Sequence, residues 1–198
     1  MSCMAPWLLL VLGISAGAAE PEVKPAETAV RVDCIGKLRH GILAAGGETT
    51  GTTITFNGIE WELKLKDEAS REFAKTHQKQ TVSVTGTLRR FVGMARPVRW
   101  IVEAETLAVP DEKASDKTTV TVTGPLKSTE SEASPFTIDA GGHRWPLLFR
   151  NDPNSQTNAK ALVGLTMTAR GAVELVNPAD KSGPAIVVDT LKATKPKP

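Results

Sequence analysis

Two stretches of the chain share one skeleton: NGIEWELKL at residues 57–65 and GGHRWPLLF at residues 141–149. Each contains the pattern Gly-x-x-Trp-x-Leu, with Trp61 in the first and Trp145 in the second, and the two are 84 residues apart. A pattern that recurs in the same frame indicates a structural unit that occurs twice in the chain.

The match continues on both sides of these stretches. Downstream, Val82–Leu88 matches Met167–Val173 at an offset of 85, and upstream, Val32–Leu38 matches Val120–Leu126 at an offset of 88. The offset changes only between the matching blocks, and such changes of length belong in surface loops. A rival repeat of 38 residues, from VSVTGTL to VTVTGPL, covers a single strand. The sequence therefore predicts two copies of one fold.

Each copy has the same predicted order of elements. Runs rich in Val, Ile, Thr and Trp with period-two alternation predict strands in the first copy at residues 30–39, 51–56, 59–66, 80–90 and 98–108. A helix is predicted between strands three and four, because DEASREFAKTHQ begins with acids and places Ala69, Phe73 and His77 on one face. The second copy offers NDPNSQTNAKALVG at the same place, where Asp152 can cap the helix.

This order of elements, with a glycine inside strands one and four of each copy, resembles the OB-fold, a five-stranded Greek-key barrel. The strand glycines are Gly36, Gly86, Gly124 and Gly171. The resemblance implies a mainly β protein of two tandem five-stranded OB-like barrels, each with one short helix between strands three and four, after a signal peptide. In each barrel the tryptophan of strand three is predicted to lie in the core.

The predicted segments follow from the repeat and from composition. They are a signal peptide at residues 1–19, a flexible segment at 20–28, barrel 1 at 29–109, a charged linker at 110–117, barrel 2 at 118–192 and a flexible tail at 193–198.

Export is predicted from the first segment, in which an apolar run is followed by the small residues Ala16–Ala19. A membrane anchor is the alternative, but the apolar part is shorter than the ~20 residues that a bilayer span needs. No second apolar run occurs, so the mature chain is predicted to have no membrane span and to be periplasmic or extracellular. Cys34 would be its one thiol, and its alternation with valines predicts a buried position.

The chain shows no signature of catalysis, metal binding or cofactor binding. His40, His77 and His143 have no metal-ligand spacing, and neither G-x-S-x-G nor a phosphate-binding loop is present. The sequence thus predicts a protein that is not an enzyme and that has no metal and no cofactor.

Charge distinguishes the two copies. Residues 28–109 contain twelve Lys and Arg against nine Asp and Glu, whereas residues 118–194 contain seven of each. Much of the excess lies in and beside the connection between strands four and five of barrel 1. The candidate ligand-binding residues there are Arg89, Arg90, Phe91, Arg96 and Arg99. The connection between strands one and two adds Lys37, Arg39 and His40.

In OB-folds these two connections border the binding face, and arginine beside aromatic rings suits the anionic groups of a polymer. The sequence therefore predicts an exported, non-enzymatic binding module for an anionic polymer or an envelope protein. The alternative is a structural or assembly component of the cell envelope, and an exported hydrolase ranks third. Export disfavours nucleic acid as the partner. The oligomeric state is not predicted.

Overall fold

The structure, a computed structural model, describes residues 30–42, 51–92, 98–111, 118–132, 134–150, 153–175 and 183–194. The predicted signal peptide and the predicted flexible segment that follows it lie outside these ranges, as does most of the predicted linker. In the described part of the chain, no helix is long and apolar enough to cross a membrane. The division of the chain into segments stays a prediction.

The first half of the chain forms a closed five-stranded barrel, barrel 1. Its elements are β1 (Val30–Arg39), β2 (Thr52–Phe56), β3 (Ile59–Lys64), α1 (Glu68–Thr76), β4 (Thr81–Phe91) and β5 (Arg99–Ala108). Around the ring the strands pair in the order β1, β2, β3, β5, β4 and back to β1. Only the pairing of β3 with β5 is parallel. β1 pairs with β2 only over Lys37–Arg39, so residues 30–33 keep one edge without a partner among the described residues of this barrel.

The second half repeats this arrangement as barrel 2. Its elements are β6 (Thr119–Ser128), β7 (Phe136–Ala140), β8 (His143–Leu148), α2 (Pro153–Ala161), β9 (Thr166–Leu175) and β10 (Pro184–Ala193). The ring runs β6, β7, β8, β10, β9 and back to β6, again with one parallel pairing, β8 with β10. The mainly β, OB-fold-like topology predicted from the sequence is confirmed, including a helix between strands three and four of each copy.

The two repeated tryptophans lie in the cores of their barrels, as predicted. Trp61 and Trp145 are both 0% exposed, and each is paired across the strands with an equally buried isoleucine, Ile54 or Ile138. Strand alternation is the cause, since β3 and β8 turn every second side chain inward. Cys34 is also 0% exposed, which confirms the predicted buried position.

The four strand glycines allow one strand to lie against the carbonyl of its neighbour. At Gly171 a Cβ atom would stand 1.9 Å from the carbonyl oxygen of Val187, and at Gly86 one would stand 2.3 Å from that of Glu103. Pairing along β4 and β5 shifts its register between Thr85 and Gly86, which marks a bulge. The glycines therefore permit the bending that closes each ring.

The two barrels are joined by an antiparallel pairing of their first strands, β1 with β6. Residues 30–33 pair with residues 119–122, and Val32 lies opposite Val120, which is its own counterpart in the repeat. The pair Arg31–Thr121 on one side of this position thus has the pair Asp33–Thr119 as its counterpart on the other side. The arrangement has the isologous symmetry of a two-fold dimer, here within one chain. We call this approximate axis the pseudo-twofold.

A second contact joins the barrels where the β7–β8 hairpin meets the end of β4. The backbone N–H of Arg90 donates to the carbonyl oxygen of Gly141 at 3.4 Å, and its Nη1 donates to that of Gly142 at 3.5 Å. Gly141 has φ +56°, and a Cβ there would lie 2.9 Å from a methyl group of Val30. A glycine at this position therefore lets the hairpin of barrel 2 approach barrel 1 closely.

Candidate functional site

Three of the predicted binding residues lie together at the end of β4 in barrel 1. The side chain of Arg89 is exposed and its Nε lies 3.3 Å from Oε2 of Glu103. Arg90 follows it, and Phe91 is 43% exposed. Arg96 lies outside the described residues. The end of β4 thus presents the guanidinium of Arg89 and the ring of Phe91 to solvent, whereas Nη1 of the partly exposed Arg90 donates to the carbonyl oxygen of Gly142.

Arg99, at the start of β5, has a different environment from its predicted neighbours. Its side chain is 7% exposed, and its Nε donates to Oε1 of Glu62 at 2.7 Å while Nη2 contacts Oε2 of the same carboxylate. This bidentate pair engages the guanidinium within the barrel wall. Arg99 therefore does not present its charge to solvent, and we leave it out of the proposed binding surface.

The residues predicted on the other rim lie at the end of β1. Lys37 and Arg39 are exposed, and Nη1 of Arg39 lies 3.8 Å from Oε1 of Glu60. His40 is partly buried, with Nδ1 at 2.8 Å from the hydroxyl of Thr52. His40 is therefore engaged in holding β1 to β2, whereas the two cations face solvent.

The register of the strands shows how far apart the two rims are. Residues paired on neighbouring strands form a series around the barrel wall: Arg39, Thr53, Glu62, Ile101 and Arg89. This path covers four of the five strand-to-strand steps around the ring, roughly 19 Å along the curved wall at about 4.8 Å a step. Arg39 and Arg89 thus both lie on the outer wall of the barrel. We call Lys37, Arg39, Arg89, Arg90 and Phe91 the barrel 1 face.

A pocket that was not predicted from the sequence lies on the corresponding face of barrel 2. Its volume is about 540 Å³, and it is lined by Pro125, Asp139, Ala140, Gly142, His143 and Arg144. At its edge, Nζ of Lys127 lies 2.5 Å from Oδ2 of Asp139, and Nε of Arg144 lies 3.3 Å from Oδ1. The 84-residue offset aligns Arg144 with Glu60, which could have indicated a difference in charge between the copies.

The carboxyl of Asp139 is held in its ionised form. Partial burial by itself would raise its pKa, but hydrogen bonds from Lys127 and Arg144 and the charges of these two residues outweigh burial and lower the pKa below its ordinary value. Asp139 therefore fixes the positions of both cations at neutral pH.

An aromatic cluster lies beside this pocket, between the barrels. The ring of Trp100 from barrel 1 is 4.9 Å from that of His143 and 5.3 Å from that of Trp145, both in barrel 2. Burial first, and the charge of Arg90 second, lower the pKa of His143 to about 4, although a backbone hydrogen bond with Pro184 and the charge of Asp139 oppose the shift. The imidazole is therefore neutral in the folded protein at neutral pH.

We expect His143 to make the protein sensitive to mild acid. In the unfolded chain this imidazole gains a proton near pH 6.5, whereas in the folded protein it does so only near pH 4. The unfolded state thus binds more protons between these values, and stability falls as the pH drops from 6.5 towards 4. Because the ring is partly exposed, the loss is about 1–2 kcal/mol rather than the full value of the shift.

The measurement is urea unfolding at intervals between pH 7 and pH 4, with the wild-type chain beside H143F. The phenylalanine variant should lose less stability over this interval, because it has no imidazole to protonate. Equal losses in the two proteins would contradict the prediction. The pKa of Asp139 is lowered from its ordinary value of 3.8, so this carboxyl also begins to cost stability as the pH approaches 4, but it is present in both proteins and its contribution cancels in the comparison.

No candidate metal site is found in the part of the chain that the structure describes. No group of three or more His, Cys, Asp or Glu side chains there is arranged to hold a metal ion. The expectations that the protein is not an enzyme and needs no cofactor stay predictions.

In fold, the chain is similar to solved structures of single-stranded DNA binding proteins. The crystal structure of the wild-type protein from Thermus aquaticus matches with a TM-score of 0.54 and 13% sequence identity, over 87% of this chain and 96% of that chain. A deletion mutant of the same protein matches with a TM-score of 0.53, also at 13% identity, over 86% and 97%. No protein-family profile and no curated protein matches the sequence.

This likeness establishes the OB-fold for the tandem arrangement. It also contradicts the prediction that nucleic acid is disfavoured as a partner, because the structures that share the fold are those of proteins that bind single-stranded DNA. That prediction depended on export alone, and residues 1–29 lie outside the described part of the chain.

Proposed function

We propose that this chain is a non-enzymatic binding protein that holds single-stranded nucleic acid on the barrel 1 face. The observation that carries the proposal is the fold similarity to single-stranded DNA binding proteins over 87% of the chain. Function does not follow from fold alone, so the charge and shape of the face have to support the same ligand.

The barrel 1 face has the chemistry that a single strand requires. Arg89 and Arg90 provide cations for phosphates, and the exposed ring of Phe91 offers a surface on which an unpaired base can stack. The corresponding positions in barrel 2 are Glu174 for Arg89 and Leu175 for Arg90. Since barrel 2 carries the opposite charge at this place, the cations are not a requirement of the fold.

The ion pairs on this face do not prevent binding of phosphate. Arg39 lies 3.8 Å from its glutamate partner and Arg89 lies 3.3 Å from its own, and both arginine side chains are well exposed. Surface pairs of this kind contribute about 0–1 kcal/mol. A phosphate can therefore replace the carboxylate as the partner of either guanidinium at little cost.

Export remains part of the proposal, supported by the apolar run and small residues that end at Ala19. The nucleic acid would then be outside the cytoplasm. The mass of the mature protein tests whether the signal peptide is removed, because cleavage after Ala19 leaves a chain that begins at Glu20.

The test is fluorescence anisotropy with a labelled single strand of about 30 nucleotides, long enough for two OB barrels, and with the duplex of the same sequence. We expect the single strand to bind more tightly than the duplex. Its log affinity should fall linearly with log salt, because each neutralised phosphate releases counterions.

The variant R39Q/R89Q removes one cation from each rim. The salt slope should become shallower by about 1.4, which is ~0.7 for each lost phosphate contact on a single strand. The matched control R150Q/R170Q removes two exposed arginines from barrel 2 and should leave the slope unchanged. Circular dichroism checks that both variants are folded.

Two results would overturn the proposal. One is the absence of single-strand binding at about 50 mM salt, where phosphate contacts are strong. The other is tighter binding of a sulfated polysaccharide than of the single strand, which would mean that the same cations bind an acidic glycan instead of nucleic acid.

A further inference from the structure

The pseudo-twofold brings cations of both barrels to one side of the molecule. The end of β4 in barrel 1 contacts the β7–β8 hairpin of barrel 2, where Arg90 donates to the carbonyl oxygens of Gly141 and Gly142. Arg144 follows Gly142 by two residues on the outer face of β8, beside Lys127. We call the set Arg89, Arg90, Lys127, Asp139 and Arg144 the junction face.

The other side of the pseudo-twofold provides an internal comparison. The counterparts of the junction face, in the same order, are Glu174, Leu175, Arg39, Thr55 and Glu60. The junction face has four cations and one carboxylate, a net charge of +3, whereas its counterpart has one cation and two carboxylates, a net charge of −1. Two copies with equivalent backbones thus differ by four charges at five matched positions.

The barrel 2 part of the junction face is arranged to receive an anion. Asp139 holds Lys127 through Oδ2 and Arg144 through Oδ1, so that both cations stand at the edge of the 540 Å³ pocket. Arg144 uses Nε for this contact, and no acceptor among the described residues contacts its terminal nitrogens. Its side chain is 65% exposed. A planar pair of N–H donors therefore remains available for two oxygens of one phosphate.

We propose that Lys127 and Arg144 form a second phosphate-binding subsite, so that one nucleic-acid strand runs from Arg89 and Arg90 across the β7–β8 hairpin onto barrel 2. Asp139 is a positioning residue of this subsite. The inference rests on the proposed function and extends it, because it gives the strand a direction and a length. A strand on the junction face engages both barrels, and linking two sites in this way raises affinity beyond that of either site.

The length of the strand provides the test. A single strand of about 8 nucleotides can occupy one barrel, and one of about 30 nucleotides can occupy both. We expect the full-length K127Q/R144Q protein to bind the long strand at least about tenfold more weakly than wild type, through loss of the second site. The short strand, held by barrel 1, should change in affinity by less than about twofold.

Matched variants separate charge from structure. R150Q/R170Q removes the same number of cations from barrel 2 away from the pocket and should leave both affinities unchanged. D139N keeps both cations but weakens their anchoring, so it should lower long-strand affinity less than K127Q/R144Q does. Thermal unfolding of each variant confirms that the barrels remain folded.

The outcomes distinguish this inference from the proposed function. If K127Q/R144Q binds both strand lengths as wild type does, the subsite is wrong while the proposed function stands. If wild type binds neither length, both fail. Inorganic phosphate is the probe for the subsite: at equal ionic strength it should displace the long strand from wild type more effectively than chloride does, and an equally large effect in K127Q/R144Q would place the competing phosphate elsewhere and overturn the subsite.

Discussion

Trp61→Ala and Trp145→Ala should each lower the free energy of unfolding by about 3–5 kcal/mol, the usual cost of removing a large buried aromatic side chain. Both side chains are 0% exposed at equivalent positions of the two barrels. Unfolding in urea, followed by circular dichroism, measures the effect without relying on tryptophan fluorescence. Leu165→Ala is the control, since this leucine is 50% exposed and its loss should change stability by less than about 0.5 kcal/mol.

The phenylalanine variants should separate the two tryptophans. Nε1 of Trp145 donates to the carbonyl oxygen of Ala140 at 3.2 Å, whereas Nε1 of Trp61 is buried without a hydrogen-bond partner. Trp145→Phe loses a hydrogen bond that Trp61→Phe does not lose, so it should cost about 1 kcal/mol more. Wild-type stability in either alanine variant would show that the tryptophan is not part of the core.

Glu62→Gln should lower the free energy of unfolding by about 3 kcal/mol, because it leaves the buried guanidinium of Arg99 without a counter-charge. The Arg99 side chain is 7% exposed and that of Glu62 is 18% exposed. Glu60→Gln is the matched control, since it removes a carboxylate from an exposed pair with Arg39 and should cost less than about 1 kcal/mol.

The double variant E62Q/R99M should be more stable than E62Q alone, because the unpaired charge is no longer present. Barrel 2 supports this expectation, since Pro146 and Gly183 occupy the positions of Glu62 and Arg99 there and the ring still closes. A loss below about 1 kcal/mol in E62Q would mean that water reaches the guanidinium and that the pair is not buried in solution.

Alternation along the sequence was sufficient to locate the strands of barrel 1. The predicted strand at residues 80–90 is observed at Thr81–Phe91, and the one at 98–108 is observed at Arg99–Ala108. Local pattern is reliable here because a strand half-buried in a barrel wall must alternate apolar and polar side chains. Because of the repeat, the same strands and helix could be assigned in barrel 2. There, an element such as the helix Pro153–Ala161 has a weaker pattern of apolar and polar residues.

The candidate site was predicted only in part. Arg89, Arg90 and Phe91 could be grouped because they are neighbours in sequence, and they lie together at the end of β4. Arg99 belongs to the same arginine-rich stretch of sequence, but its side chain pairs with Glu62, 37 residues away. Side-chain type and local spacing indicate that a cation is present, but they do not indicate which distant carboxylate it meets.

Three features could be predicted from the sequence alone: two copies of a five-stranded unit, a tryptophan in each core and more positive charge in the first copy. These features are local, since strand alternation, turn glycines and charge are properties of short segments. The pairing of β1 with β6, which sets Val32 opposite Val120, is seen only in the folded protein. That pairing brings Arg90 to the hairpin that carries Arg144, 54 residues further along the chain. The physical reason is that alternation specifies which face of a strand is buried but not which strand lies beside it, so the junction face exists only once the barrels have met.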